Sequence, residues 1–151
     1  MTTLKHLLTR ITTTSAGWSA LVLRVPIGII FAAHGAQKLF GWFGGYGLAG
    51  TGAWMDSIGL SPGVLMAFLA GAAEFFGGLA LVLGLLTRPA AAALAFAMLI
   101  AIFSVHFENG LFMSNNGYEF GLALLVASVS LLFSGAGKLS VDAFLNRKLN
   151  A

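Results

Sequence analysis

Residues 69–84 read LAGAAEFFGGLALVLG, a run apolar enough for lipid with a glutamate at its centre. On a helix, the neighbours of Glu74 at three- and four-residue spacing are Ala70, Gly71, Gly77 and Gly78. Leu65, Phe68, Phe75, Phe76, Leu79 and Leu83 fall mostly on other sides. Small residues let helix backbones approach closely, so this face is expected to point into a helical bundle and to carry Glu74 with it. A carboxylate held there must protonate or find a cation.

The rest of the chain agrees with a membrane setting. Of 151 residues, 58% are apolar and only 9% charged, which is wrong for a water-facing surface. Four apolar stretches, at 18–40, 62–86, 89–107 and 118–134, are each near the ~20 residues that cross a hydrocarbon core, the last being the shortest. Pro26, Pro62 and Pro89 fall at or near the start of three of them, where a missing amide costs least, and Asn115 and Asn116 stand where they can cap the fourth. The expected fold is all-α: a four-helix transmembrane bundle over 18–134, with interfacial segments at 1–17 and 135–151. The runs lack the alternation of strands, which excludes a sandwich or an outer-membrane barrel. A cleaved signal peptide is disfavoured, because Arg24 and Pro26 interrupt what would be its apolar segment.

In residues 4–11, Leu4, Leu7, Leu8 and Ile11 share one face and Lys5 and Arg10 lie off it, as in a short helix on an anionic leaflet; a disordered tail is the alternative. In 135–149, Ser140 reads as the cap of a second interfacial helix. Placing both termini in the cytoplasm gathers Lys5, Arg10, Arg88, Lys138, Arg147 and Lys148 on that side and leaves Lys38 opposite. These cations form no continuous patch, so nucleic acid is not an expected partner. The segment 41–61 reads as a loop folded against the outer interface; it holds seven glycines but no GK[ST], which argues against a phosphate-binding loop.

Arg24 is the first candidate partner for Glu74. Rising ~1.5 Å per residue, Arg24 lies ~9 Å above one boundary and Glu74 ~18 Å below the other, which leaves only a few ångströms between them in a ~30 Å core. The alternatives are that Arg24 reaches the headgroups alone, or that the pair serves only to fix helix register. A second polar set, His34, Gln37, Lys38, His106, Glu108 and Glu119, lies at similar depth near the outer leaflet. Converging, these groups can carry protons or hydrogen-bond a quinone carbonyl, with His34 and Glu119 the deeper ones and Lys38 and Glu108 better explained by interfacial solvation. No metal site is expected. The Glu-x-x-His repeats of a di-iron bundle are absent, His34 and His106 alone are a weak haem signal, and the chain has no cysteine.

The order Arg24, Gly28, His34-Gly35, Lys38-Leu39, then Glu74-x-x-Gly77-Gly78, then Leu83-Gly84-x-x-Thr87-Arg88 resembles the DoxX family of small bacterial membrane proteins. GAGKLSVD at 135–142 is similar to the family's Gly-Pro-Gly-x-x-Ser-Leu-Asp ending, with Ala136 in place of its proline and Val141 in place of its leucine. Members are similar to a subunit of a terminal quinol oxidase and thiosulfate:quinone oxidoreductase, and others are labelled oxidoreductases. The resemblance implies an inner-membrane accessory or quinone-contacting subunit, with no covalently bound cofactor and with a soluble or membrane redox partner. A non-catalytic assembly module and a small-solute or proton permease remain as alternatives.

Overall fold

The computed structural model describes residues 3–150, which contain helices and turns but no strand. The helices are α1 (Thr3–Thr12), α2 (Trp18–Phe40), α3 (Gly47–Ser57), α4 (Gly63–Leu83), α5 (Thr87–Ala101), α6 (Glu119–Ser134) and α7 (Val141–Asn150). Beyond Ala101, α5 widens into a π-helical turn at Ile102–His106 and then tightens at Phe107–Asn109. Three apolar helical stretches are long enough to cross a membrane: Trp18–Phe40, Gly63–Leu83 and Thr87–Asn109. The fourth expected span, α6, is apolar but only 16 residues long.

Helices α2, α4, α5 and α6 share one core, in which Phe31, Leu81, Leu94, Met98, Leu124 and Leu131 are buried. Large apolar side chains also point outward, among them Val22, Phe76, Phe96, Val126 and Phe133, all more than half exposed. Such a surface is untenable in water and natural in acyl chains.

The tightest packing is between α2 and α4, and glycine sets it. A Cβ on Gly28 would lie 2.6 Å from the Gly78 carbonyl oxygen, and one on Gly35 would collide with the backbone of Phe75. With no side chains between them, the two backbones touch. This contact fixes the register that positions the site.

Three local expectations change. The glycine-rich 41–61 segment is not simply a loop, because it contains α3. Glycine disfavours a helix, but here Gly52 seats against Val64 and Gly63 against Gly52, so packing on α4 overrides propensity. Asp56 on α3 then accepts the Gly63 amide at 2.7 Å and the Ser61 hydroxyl at 2.7 Å, capping α4 from outside. These bonds hold its carboxyl below the ordinary value. Asn115 and Asn116 do not cap α6; they lie in and just after a short 3-10 turn, and Tyr118 precedes the helix. Pro26 sits inside α2, past its first turn, whereas Pro62 and Pro89 stand at helix starts. Ser140 does act as the cap of α7, accepting the Ala143 amide at 3.1 Å.

Candidate functional site

The glycine register decides which charges meet. With Gly28 opposite Gly78 and Gly35 opposite Gly71 and Phe75, the antiparallel helices carry Lys38 alongside Glu74. The Lys38 ammonium donates to Glu74 Oε2 at 2.5 Å. Glu74 is 4% exposed, so the small-residue face does turn inward, and the Lys38 side chain is 24% exposed. Among the described residues, Lys38 is the one hydrogen-bond partner of Glu74, and the pair uses one of three ammonium donors and one of two carboxylate oxygens. Hydrogen-bonding capacity remains at a part-buried ion pair.

That capacity faces open space. A 220 Å³ cavity reaches the pair from the α2–α6 side, where Phe31, Met98, Phe120 and Leu124 form apolar walls. A 280 Å³ cavity reaches it from the α3–α5 side, past Trp54, Ala97 and Ser104. Lys38, Glu74, Ala101, His106 and Asn116 line both. Lys38 also borders a third, outer vestibule of 490 Å³ between Tyr46, Gly50 and Trp54.

His106 is delivered by the π-helical turn, whose residues Ser104, Val105 and His106 line the second cavity. Such a turn adds a residue to a helical repeat and redirects the side chains after it, and it is common at functional sites. The His106 Nδ1 lies 2.8 Å from the Asn116 carbonyl oxygen. A carbonyl only accepts, so Nδ1 carries the proton and Nε2 is the nitrogen left to exchange one. Asn116 has φ 59°, a left-handed conformation that asparagine tolerates, and its carbonyl also accepts the Asn109 side-chain Nδ2 at 3.2 Å.

The other sequence candidates divide. His34 lines the first cavity and lies 6.1 Å, centroid to centroid, from the Phe120 ring. Glu119 borders neither inner cavity; its Oε1 accepts the Met113 amide at 2.6 Å and so ties the loop before α6. Gln37 donates to the Phe43 carbonyl at 3.2 Å and lines the vestibule, and Glu108 is exposed.

Arg24 does not meet Glu74. The same register sets it at the C-terminal end of α4, where Nη1 donates to the Leu81 and Val82 carbonyls at 2.8 and 2.5 Å. Nε donates to Ala136 at 2.9 Å and Nη2 to Leu139 at 2.7 Å. A helix C-terminus exposes unpaired carbonyls with partial negative charge, which a guanidinium fork satisfies. Arg24 and Glu74 match in depth only when each helix is taken alone; the offset set by the glycines separates them.

Beside Arg24 lies Asp142, a residue that composition and spacing did not single out, 1% exposed. Its two oxygens accept the Leu86 and Thr87 amides at 2.8 and 2.9 Å, closing the start of α5. Its own amide donates to the Gly84 carbonyl at 2.9 Å. Gly84 has φ 65°, and a Cβ there would stand 2.5 Å from Ser140 Cβ and 3.0 Å from the Arg24 guanidinium carbon. Arg24, Gly84, Thr87 and Asp142 form one knot. The signal available in the sequence was the Ser-Val-Asp ending at 140–142.

A family profile described as DoxX matches residues 19–107. The chain is 36% identical over 125 residues to the Bacillus subtilis protein named "Putative oxidoreductase CatD", covering 83% of this chain and 85% of that one. It is 34% identical over 134 residues to the Escherichia coli "Inner membrane protein YqjF", covering 85% and 92%. To the Mycobacterium tuberculosis "Uncharacterized membrane protein Rv3486" it is 30% identical over 143 residues, covering 88% and 85%. No solved structure matches the chain.

Proposed function

The chain belongs to the DoxX family of membrane proteins, and from that premise we propose that it is an inner-membrane component of a redox system whose outward-facing cavity takes a quinone headgroup. The observation that carries this reading is the Lys38–Glu74 pair, part-buried, incompletely hydrogen-bonded and bordered by apolar-walled space. The printed name of the Bacillus subtilis relative agrees with redox work.

The topology behind the proposal is four crossings, with α6 as the last. Three crossings would leave the termini on opposite sides, yet α1 and α7 pack together, with Asn146 donating to the Thr9 carbonyl at 3.1 Å and to the Thr12 hydroxyl at 3.2 Å. The distribution of cations supports an orientation with both termini in the cytoplasm and the Lys38 end outside.

The residues fit a flat carbonyl-bearing ring. Phe31, Met98, Phe120 and Leu124 supply apolar walls, Lys38 supplies N–H donors, and His106 supplies a titratable nitrogen. A quinone held there supplies carbonyls that accept electrons and protons together. Glu74 would aim the Lys38 ammonium, Lys38 would donate a hydrogen bond to a headgroup carbonyl, and His106 would present Nε2 for proton exchange. Electron transfer is assigned to a partner protein.

The test is titration of purified protein with short-chain ubiquinone and menaquinone analogues, followed by quenching of tryptophan fluorescence, since Trp54 lines the adjoining cavity. Saturable binding that weakens about tenfold or more in Glu74→Gln and in His106→Ala supports the site. Equal affinity in both variants and the parent removes it.

A further inference from the structure

The end of the molecule that carries both termini holds a groove of 790 Å³ between the start of α2 and α7, separate from the Lys38–Glu74 site. Its apolar wall is built from Leu83, Leu139 and Phe144, with Trp18 at the edge, and its charged residues are Lys138 and Arg147. The Lys138 ammonium stands over the Trp18 ring, 5.6 Å from its centroid. Leu139 is 71% exposed and Phe144 51% exposed, so the apolar wall is open.

Charge at this end is one-sided. Lys5, Arg10, Lys138, Arg147 and Lys148 lie on or beside α1 and α7, and no carboxylate lines the groove. The acid nearest in the chain, Asp142, is buried with both oxygens engaged by amides, and the other four acids lie away from this end. Trp18 begins a membrane-crossing helix, which sets the groove at headgroup height. Open apolar surface below and unopposed cations above match one molecule class.

We infer that this groove binds an anionic phospholipid of the leaflet on the side of the termini, with its phosphate between Lys138 and Arg147 and an acyl chain along Leu139 and Phe144. The inference rests on the membrane-crossing topology and not on quinone binding. It links lipid to fold, because the turn that lines the groove also supplies the Leu139 carbonyl that receives Arg24 and the Ser140 that abuts Gly84. An occupied groove holds this turn and therefore the Arg24–Asp142 knot in place.

The experiment measures thermal unfolding of the full chain in neutral detergent against added dioleoylphosphatidylglycerol, dioleoylphosphatidylcholine or inorganic phosphate. The expected result is a saturable rise on the order of 5 °C with phosphatidylglycerol, and little with the other two. A Lys138→Gln/Arg147→Gln double variant, changed only at exposed side chains, keeps the lipid-free midpoint and loses most of that rise, whereas Lys5→Gln/Arg10→Gln on α1 keeps it. Native mass spectrometry of the parent, showing selective retention of one phosphatidylglycerol, provides a readout that no variant can spoil. Three results overturn the inference: an equal rise with phosphatidylcholine, the same rise with phosphate alone, or an equal loss in the α1 variant, which signals diffuse attraction to the surface.

Discussion

Arg24 and Glu74 are both buried ions in membrane-crossing helices, and their surroundings differ in what is left unsatisfied. Arg24 donates to four carbonyls, at Leu81, Val82, Ala136 and Leu139. Glu74 accepts from one ammonium beside cavities on two sides. A buried charge that spends four of its five N–H donors on backbone carbonyls is a clamp; one that keeps most of its donors and acceptors free beside open space is equipped to meet a ligand. Intramembrane charge alone therefore does not mark a site.

The largest effect that separates the two regions is expected at Arg24. Arg24→Met strands carbonyls of α4 and of the 136–139 turn and costs about 3–5 kcal/mol, seen as a collapse of the unfolding midpoint in detergent. Arg24→Lys does not rescue it fully, since one ammonium cannot span carbonyls that a planar fork reaches. A folded, fully stable Arg24→Met protein would erase the distinction between clamp and site.

Next comes the glycine register on which both regions depend. Gly35→Ala thrusts a methyl group against the Phe75 backbone, which cannot rotate away, and costs about 3 kcal/mol. Because the helices must part beside Lys38, ligand binding falls with stability. Binding that survives the stability loss would detach the site from the register.

Smaller still is Lys38→Met, which leaves Glu74 short of its partner and costs about 1–3 kcal/mol. Replacing both residues by methionine removes the unpaired charge and returns stability toward the parent, as apolar replacement of a buried ion pair often does. Stability and ligand binding should then separate.

The smallest effect belongs to Asp56. Its carboxyl is depressed in the folded state by the Ser61 hydroxyl and the Gly63 amide, so its contribution is complete above the unfolded value and is lost as pH falls through the folded one. The unfolding midpoint should therefore drop below the usual carboxylate range in the parent, and drop less in Asp56→Asn. Parallel pH profiles would show that this cap contributes nothing.

Much of this architecture is visible in the residues alone. Hydropathy marked α2 at 18–40, the α4 and α5 stretches, and the inward turn of Glu74 on its Gly71–Gly78 face. What local patterns did not carry was the offset between helices. Depth arithmetic measured each span from its own boundary, so an error of a few residues at each end paired Glu74 with Arg24 instead of Lys38. The contacts that correct it, Gly28 on Gly78 and Gly35 on Phe75, are tertiary. Helix α3 was hidden for a related reason, since its glycines oppose the helix that packing against α4 imposes. The π-helical turn that presents His106 has no sequence signature among these residues, whereas the Ser-Val-Asp of the Arg24 knot was present and lacked only its partners.

The most direct measurement is quinone-analogue binding to Lys38→Met/Glu74→Met at a temperature where it and the parent are equally folded. The account predicts saturable binding by the parent and none by the double variant. Binding of equal affinity in both proteins would contradict it, and would make the Lys38–Glu74 pair a second clamp like the one at Arg24.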